Sequence, residues 1–207
     1  MADWIRRSFT AAGLTQIPPG PGLVALQSRF GGTVMLCIDV SGSMHGAPVL
    51  EAVRGAREFV AEAVAAHYRV GVMLWNTGVV ALAEPSADGS AASQLLGTVT
   101  GAYGGNYLIT PLDRCHQILD QCSGDRVVAL FGDGDLTPKD LVLAKVARMK
   151  AANIRFVTRG LGPVAAQEFA LVTSEDPSAV EVRQVENLAA GIASMAANLK
   201  TRREGAP

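Results

Sequence analysis

Apolar residues in this chain come in short continuous runs separated by longer stretches of helical periodicity, a pattern that predicts buried parallel strands joined by helices. The first run is Val34-Met35-Leu36-Cys37-Ile38. A helix is expected from Pro48 to His67, with Pro48 at its first position and Val53, Ala56, Val60 and Val64 on one face. Val70 to Trp75 reads as a strand, and Asn76-Thr77-Gly78 as a hairpin turn into an antiparallel edge strand from Val79 to Ala83. Ala91 to Val99 predicts a helix, Gly101 to Asn106 a Gly-rich loop, and Pro111 to about Cys122 a further helix. Arg126 to Phe131 is a continuous apolar strand ending in the polar loop Gly132-Asp133-Gly134-Asp135. Thr137-Pro138-Lys139-Asp140 has the pattern of a capped helix start, and the helix carries Leu141, Val142, Val146 and Met149 to about Ala152. A strand at Ile154 to Thr158, a helix near Ala165, a strand at Val180 to Val182 and a helix striped by Leu188, Ile192, Met195 and Leu199 complete the chain. The fold class expected is α/β: a doubly wound, mostly parallel central sheet with one short antiparallel edge strand and helices on both faces.

Residues 1–31 stand apart as an N-terminal arm: a short helix carrying Trp4, Ile5 and Phe9, the stiff hinge Pro18-Pro19-Gly20-Pro21-Gly22, then Leu23 to Phe30. The domain is expected over 32–203, with 204–207 as a flexible tail. A chain of 207 residues is long enough for one good core. A net charge of -1 with 18% charged residues offers no basic surface for nucleic acid and no acidic tail. Arg6-Arg7-Ser8-Phe9 looks like a twin-arginine export signal, but Thr10, Gln16 and the Pro/Gly segment interrupt the apolar run such a signal needs. No stretch approaches the ~20 apolar residues of a membrane span. Cys37, Cys115 and Cys122 lack zinc spacing and read as reduced thiols, so a cytoplasmic location is expected.

The chemistry concentrates at Asp39-Val40-Ser41-Gly42-Ser43, where one carboxylate and two hydroxyls occupy alternate positions just past the first strand. Open α/β sheets build their sites at such strand ends. Hard oxygen donors of this kind suit magnesium, which takes near-octahedral oxygen coordination with one or two carboxylates and keeps several waters. One acid and two neutral hydroxyls leave a dication under-neutralised, so further ligands must come from elsewhere in the chain.

Asp39-Val40-Ser41-Gly42-Ser43-Met44 after an apolar strand resembles the D-x-S-x-S signature of the von Willebrand factor A family. Leu130-Phe131-Gly132-Asp133-Gly134 is similar to that family's later strand-ending acid, and Thr110-Pro111-Leu112 to the tripeptide that often opens a central helix in bacterial members. The resemblance covers residues 33–200. It implies a metal-ion-dependent adhesion site in which Ser41, Ser43 and Thr110 contact the ion through hydroxyls, with Asp39 and Asp133 nearby. Neutral hydroxyl ligands leave the ion electrophilic, so it gains from an Asp or Glu of a partner protein. The ion expected is Mg2+, with Mn2+ or Ca2+ accepted by the same oxygens. Met44, His45, Tyr103, Asn106, Tyr107 and Asp135 are the candidate partner contacts around it. One departure stands: Gly104-Gly105 is followed by Asn106-Tyr107-Leu108-Ile109 before Thr110, whereas family members place the threonine directly after the glycines. Either the loop carries an insertion or Asn106 takes the ligand position. Short bacterial members often work beside AAA+ ATPases of the MoxR kind or in stress-response clusters, which is the setting the resemblance suggests.

Other readings of the same residues remain. Thr110-Pro111-Leu112-Asp113 is itself a good capping box, and Thr137 is a candidate N-cap. Asp133-Gly134-Asp135-Leu136-Thr137 matches the D-x-D-x-T of haloacid-dehalogenase-type phosphotransferases, with Asp133 as nucleophile and Asp135 as general acid. Neither serine sits in a G-x-S-x-G elbow, and His45, His67 and His116 are expected on the surface, so a serine hydrolase is not supported. The Gly101 to Gly105 glycines do not follow a strand and open a helix as a dinucleotide loop does. A non-catalytic interaction module is expected, with a vestigial site as the bland alternative.

Overall fold

A computed structural model describes residues 31–200; the expected arm helix, hinge and tail lie outside the described residues. The strands are β1 (Thr33–Asp39), β2 (Arg69–Trp75), β3 (Val79–Ser86), β4 (Arg126–Gly132), β5 (Ile154–Leu161) and β6 (Glu181–Val182). The helices are α1 (Ala47–Ala65), α2 (Ser90–Gly97), α3 (Ile109–Asp120), α4 (Lys139–Ala151), α5 (Gly162–Ala170), α6 (Leu188–Ser194) and α7 (Ala197–Lys200). The six strands form one sheet in the order β3-β2-β1-β4-β5-β6. Only the β2–β3 pair is antiparallel, and it puts β3 at the edge, as the Asn76-Thr77-Gly78 turn predicts.

β1 lies at the centre, buried along its whole length, because its two faces feed separate cores. Val34, Leu36 and Ile38 pack with Phe59 of α1, Leu96 of α2 and Leu188 and Ile192 of α6. Met35 and Cys37 pack on the other face with Leu112 and Cys115 of α3, Val142 and Met149 of α4 and Phe169 of α5. Alternation is therefore invisible in this strand: both sets of side chains are inside.

Several boundaries differ from expectation, each for a local reason. The buried stripe of α1 runs through Val49, Ala52, Ala56, Phe59, Val60 and Ala63, with Val53 and Val64 only half-buried. Leu141 is exposed although its helix is otherwise striped inward by Val142, Val146 and Met149. β5 continues three residues past Thr158 because Arg159 is buried against Glu175, Nη1 to Oε2 at 2.8 Å, so a charge that reads as a strand end is matched inside. The last helix is broken: Met195 and Ala196 make tight i to i−3 turns between α6 and α7, yet Leu188, Ile192, Met195 and Leu199 are all buried. α3 starts two residues early at Ile109 with Leu108 as N-cap, and α4 starts at Lys139 with Pro138 as N-cap. Neither Thr110 nor Thr137 is the cap that its tripeptide suggests.

Gly55 marks the closest approach of α1 and α6, since a Cβ there would lie 2.5 Å from the carbonyl oxygen of Ala189. Helix propensity favours alanine by about 1 kcal/mol, but overpacking against a backbone costs about 1–3 kcal/mol. Gly55→Ala is therefore expected to lower stability by roughly 1–2 kcal/mol in urea unfolding; a stabilised variant would mean the two helices separate freely.

Candidate functional site

The chain runs outward from β1 to β2 and β3, then returns to lay β4 on the other side of β1. This reversal opens a crevice at the carboxyl ends of β1 and β4, the place where open α/β sheets bind ligands. Asp39 is the last residue of β1, and Asp133 follows the last residue of β4.

Asp39 is fully buried. Its Oδ1 accepts the backbone N–H of Ser41 at 2.8 Å, a local turn that short acidic side chains favour, while its Oδ2 is buried without a hydrogen-bond partner among the described residues. Burial, with help from the nearby Asp133 charge and against the Ser41 hydrogen bonds, pushes its pKa from 3.8 up to about 6. Gly132 makes room for it: a Cβ at that position would sit 2.9 Å from Asp39 Oδ2 and 3.1 Å from Phe169 Cζ. Ser41 is buried and its hydroxyl lies 3.2 Å from that of Ser43. The Ser43 hydroxyl in turn donates to Asp133 Oδ1 at 2.8 Å. Asp39, Ser41, Ser43 and Asp133, four of the residues singled out in the sequence, thus form one connected oxygen cluster.

The Gly-rich loop closes over this cluster from one side. Gly42 N–H donates to Gly104 O at 3.0 Å, Tyr103 N–H to Val40 O at 2.8 Å, Tyr107 N–H to Asn76 O at 2.7 Å and Leu108 N–H to Thr137 O at 3.0 Å. Asn76 adds its side-chain amide to Tyr103 O at 2.8 Å, a positioning role that the hairpin reading of Asn76-Thr77-Gly78 did not suggest. Asn106 is half-buried, and its Nδ2 donates to Asp135 O at 2.9 Å. Thr110 is exposed on the first turn of α3, and no hydrogen bond among the described residues ties its hydroxyl to the cluster.

Of the candidate partner contacts, Tyr103, Tyr107, His45 and Asp135 are exposed, with His45 Nδ1 3.4 Å from Ala102 O. Met44 is not available: it closes the 3₁₀ turn Gly42–Met44 and is completely buried in the α1-side core. A methionine at the end of a loop signature gives no sign of which way it turns, and here hydrophobic burial decides. Cys37 and Cys115 meet in the core behind the site, Sγ to Sγ at 3.3 Å, and that hydrogen bond together with burial pushes the Cys37 thiol well up. Among the described residues no three His, Cys, Asp or Glu side chains cluster as metal ligands, so any cation here depends on hydroxyl and amide oxygens as well as carboxylates.

Residues 34–135 match the family model described as von Willebrand factor type A domain. No curated protein matches the chain in sequence. Among solved structures, the vWF domain of the type V pili tip protein Mfa5 from Porphyromonas gingivalis superposes with a TM-score of 0.72 at 12% identity, over 84% of this chain and 96% of that one. Proximal thread matrix protein 1 from the mussel byssus, with a zinc occupied MIDAS motif, gives 0.66 at 16% identity over 82% of this chain and 48% of that one, about half its length. Manganese-loaded TRAP protein from Plasmodium vivax gives 0.58 at 15% identity over 81% and 74%. At these identities the likeness is one of fold.

A carboxylate whose pKa is raised on folding binds its proton more tightly in the folded chain, so stability falls as pH rises from 3.8 through about 6, and the penalty is complete above that window. In chelator, Asp39→Asn keeps the Ser41 contact and removes the charge. It is expected to be more stable than the parent by roughly 1–3 kcal/mol near pH 8, with the difference vanishing below about pH 4, in urea unfolding at both pH values. A variant destabilised near pH 8 would show that the charge is already matched.

Proposed function

The chain carries a von Willebrand factor type A domain, and from that premise we propose that it is a divalent-cation-dependent protein-interaction module without catalysis of its own. The observation that carries this reading is the buried Asp39 carboxylate, one oxygen unmatched, beside two serine hydroxyls and a second carboxylate on Asp133. Two like charges at close range with a buried, partnerless oxygen are a poor arrangement for protein alone and a fitting one for a hard cation. Asp39, Ser41, Ser43 and Asp133 would hold Mg2+, or Mn2+ or Ca2+ in its place. When bound, the cation would supply an electrophilic face at its open position, since two of the four side chains around it, Ser41 and Ser43, are neutral hydroxyls.

The occupant we propose for that face is an Asp or Glu of a partner protein. Tyr103, at 63% exposed, and Tyr107, at 38%, stand on the loop beside it and offer the aromatic contacts that protein interfaces favour. The zinc occupied MIDAS motif of the mussel protein and the manganese loading of the Plasmodium protein support a divalent metal on this fold. An AAA+ ATPase of the MoxR kind is the partner class that the bacterial resemblance proposes. Catalysis is disfavoured by the surroundings: Ser43 donates to a carboxylate with no imidazole in the chain of contacts, and the ring of His45 faces Ala102 O. Asp135, the general acid of a phosphotransferase reading, has its backbone carbonyl engaged by Asn106 and its side chain exposed. Among the described residues no helix is long and apolar enough to cross a membrane.

Calorimetric titration of Mn2+ into the parent and into Ser41→Ala, with a glutamate-bearing peptide present, tests the reading. Binding in the parent that weakens by roughly tenfold or more in the variant is expected, in line with the cost of disturbing a metal's ligand environment. Partner capture in Mg2+ that chelator reverses is the corresponding result for the protein ligand. Absence of binding in the parent would leave a vestigial site.

A further inference from the structure

Two rulers locate the loop oxygen of the cluster, and they disagree. Counting from Thr-Pro-Leu at the helix start gives Thr110; counting from the glycine pair gives Asn106. The structure anchors this loop by the glycines: Gly104 O accepts Gly42 N–H at 3.0 Å, and a Cβ on Gly42 would lie 3.3 Å from that same oxygen. Two residues on, Asn106 lies against the acid loop after β4. Its Nδ2 is fixed on Asp135 O at 2.9 Å, and a Cβ on Gly134, next to Asp133, would collide with that nitrogen. Gly134 is not among the glycines with positive φ, so its lack of a side chain serves space and not backbone conformation.

With its nitrogen committed, the other amide atom of Asn106 is determined. Oδ1 is buried and has no hydrogen-bond partner among the described residues, the same condition as Oδ2 of Asp39. Two buried acceptor oxygens without partners, one at the end of β1 and one on the loop before α3, are uncommon, because each costs about 1–3 kcal/mol of desolvation when nothing meets it. Thr110 meets none of these conditions: by the time the chain reaches it, Leu108 N–H has already docked on Thr137 O and α3 has begun.

We infer that Asn106, through its side-chain amide oxygen, and not Thr110 through its hydroxyl, is the loop ligand that completes the oxygen set of Asp39, Ser41, Ser43 and Asp133, and that Gly134 is its positioning residue. This rests on the divalent-cation reading. An amide carbonyl is a hard, neutral donor that accepts from a cation without a proton to redirect, and it belongs to the ligand types found around Ca2+. Placing one here keeps the site's formal charge at that of its two aspartates.

Mn2+ binding, read as the free-ion signal in electron paramagnetic resonance, separates the possibilities for the parent, Asn106→Ala, Gly134→Ala, Thr110→Ala and Ser41→Ala. Unfolding in chelator supplies the check that each variant folds. Expected are an affinity weakened by roughly tenfold or more in Asn106→Ala, a loss in the same direction in Gly134→Ala, and a Thr110→Ala affinity within about twofold of the parent. Gly134→Ala keeps every ligand residue in the sequence and displaces only the Asn106 amide, so its loss reports the orientation of that amide and stands in should Asn106→Ala fold poorly. Loss in Thr110→Ala with Asn106→Ala unaffected would overturn the assignment while the cation site stands, provided Ser41→Ala still weakens binding by roughly tenfold or more. No Mn2+ binding in the parent would overturn the cation site and this assignment with it.

Discussion

A carboxylate at the end of a strand covered on both faces costs several kcal/mol unless its oxygens are met, and among the described residues the Oδ2 of Asp39 finds no hydrogen-bond partner while Oδ1 accepts from Ser41. The local structure follows from accommodating that group. Gly132 omits a side chain where one would strike the carboxylate, and the turn after β1 brings the Ser41 N–H back onto Oδ1. Asp133 is delivered to the same crevice by β4, although like charge alone would keep it away. A fold that brings two acids together at its topological switch point, and lines the space between them with hydroxyls, has its electrostatics set for a positive occupant.

Rigidity is supplied from behind. β1 is flanked by β2 and β4 in a parallel ladder and clamped between two apolar layers, so Asp39 sits at the end of a strand held on both edges and both faces. The residues that reach over the site are on loops, yet those loops are stitched to one another: Gly42 to Gly104, Val40 to Tyr103, Asn76 to both Tyr103 and Tyr107, Asn106 to Asp135. Each bond ties the loop after one strand to the segment preceding α3. The ordering cost of the oxygen cluster is therefore met on folding and not on binding, which is the condition for a small hard ligand to be held selectively.

The sheet was legible in the sequence because a parallel sheet buried on both faces writes itself as continuous apolar runs, and Asn76-Thr77-Gly78 marked its antiparallel edge. What the pattern could not show were matters settled by tertiary partners. Arg159 looks like the end of a strand until Glu175 is brought beside it. The stripe from Leu188 to Leu199 is apolar on one face whether the helix is whole or broken. Met44 sits in a loop signature and its burial depends on the shape of the core beneath it. In the site, the carboxylate and the serines were legible because their spacing along one turn is local. Which of Thr110 and Asn106 supplies the loop oxygen was not, because that depends on which backbone contact anchors the glycines.

The exposed rim completes the argument from chemistry to partner. A cation held by two aspartates and neutral oxygens would keep an open position but little net charge, so its affinity for a single carboxylate in water would be modest and would need reinforcing by contacts around it. Tyr103 and Tyr107 are large, exposed and borne on a loop whose backbone is fixed at both residues by hydrogen bonds to Val40 and Asn76. Aromatic side chains on a fixed backbone lose little entropy on contact, since two torsions define each. Specificity for one acidic segment over another would then reside in what flanks the acid and packs on these rings, while the crevice between β1 and β4 would read only the carboxylate itself.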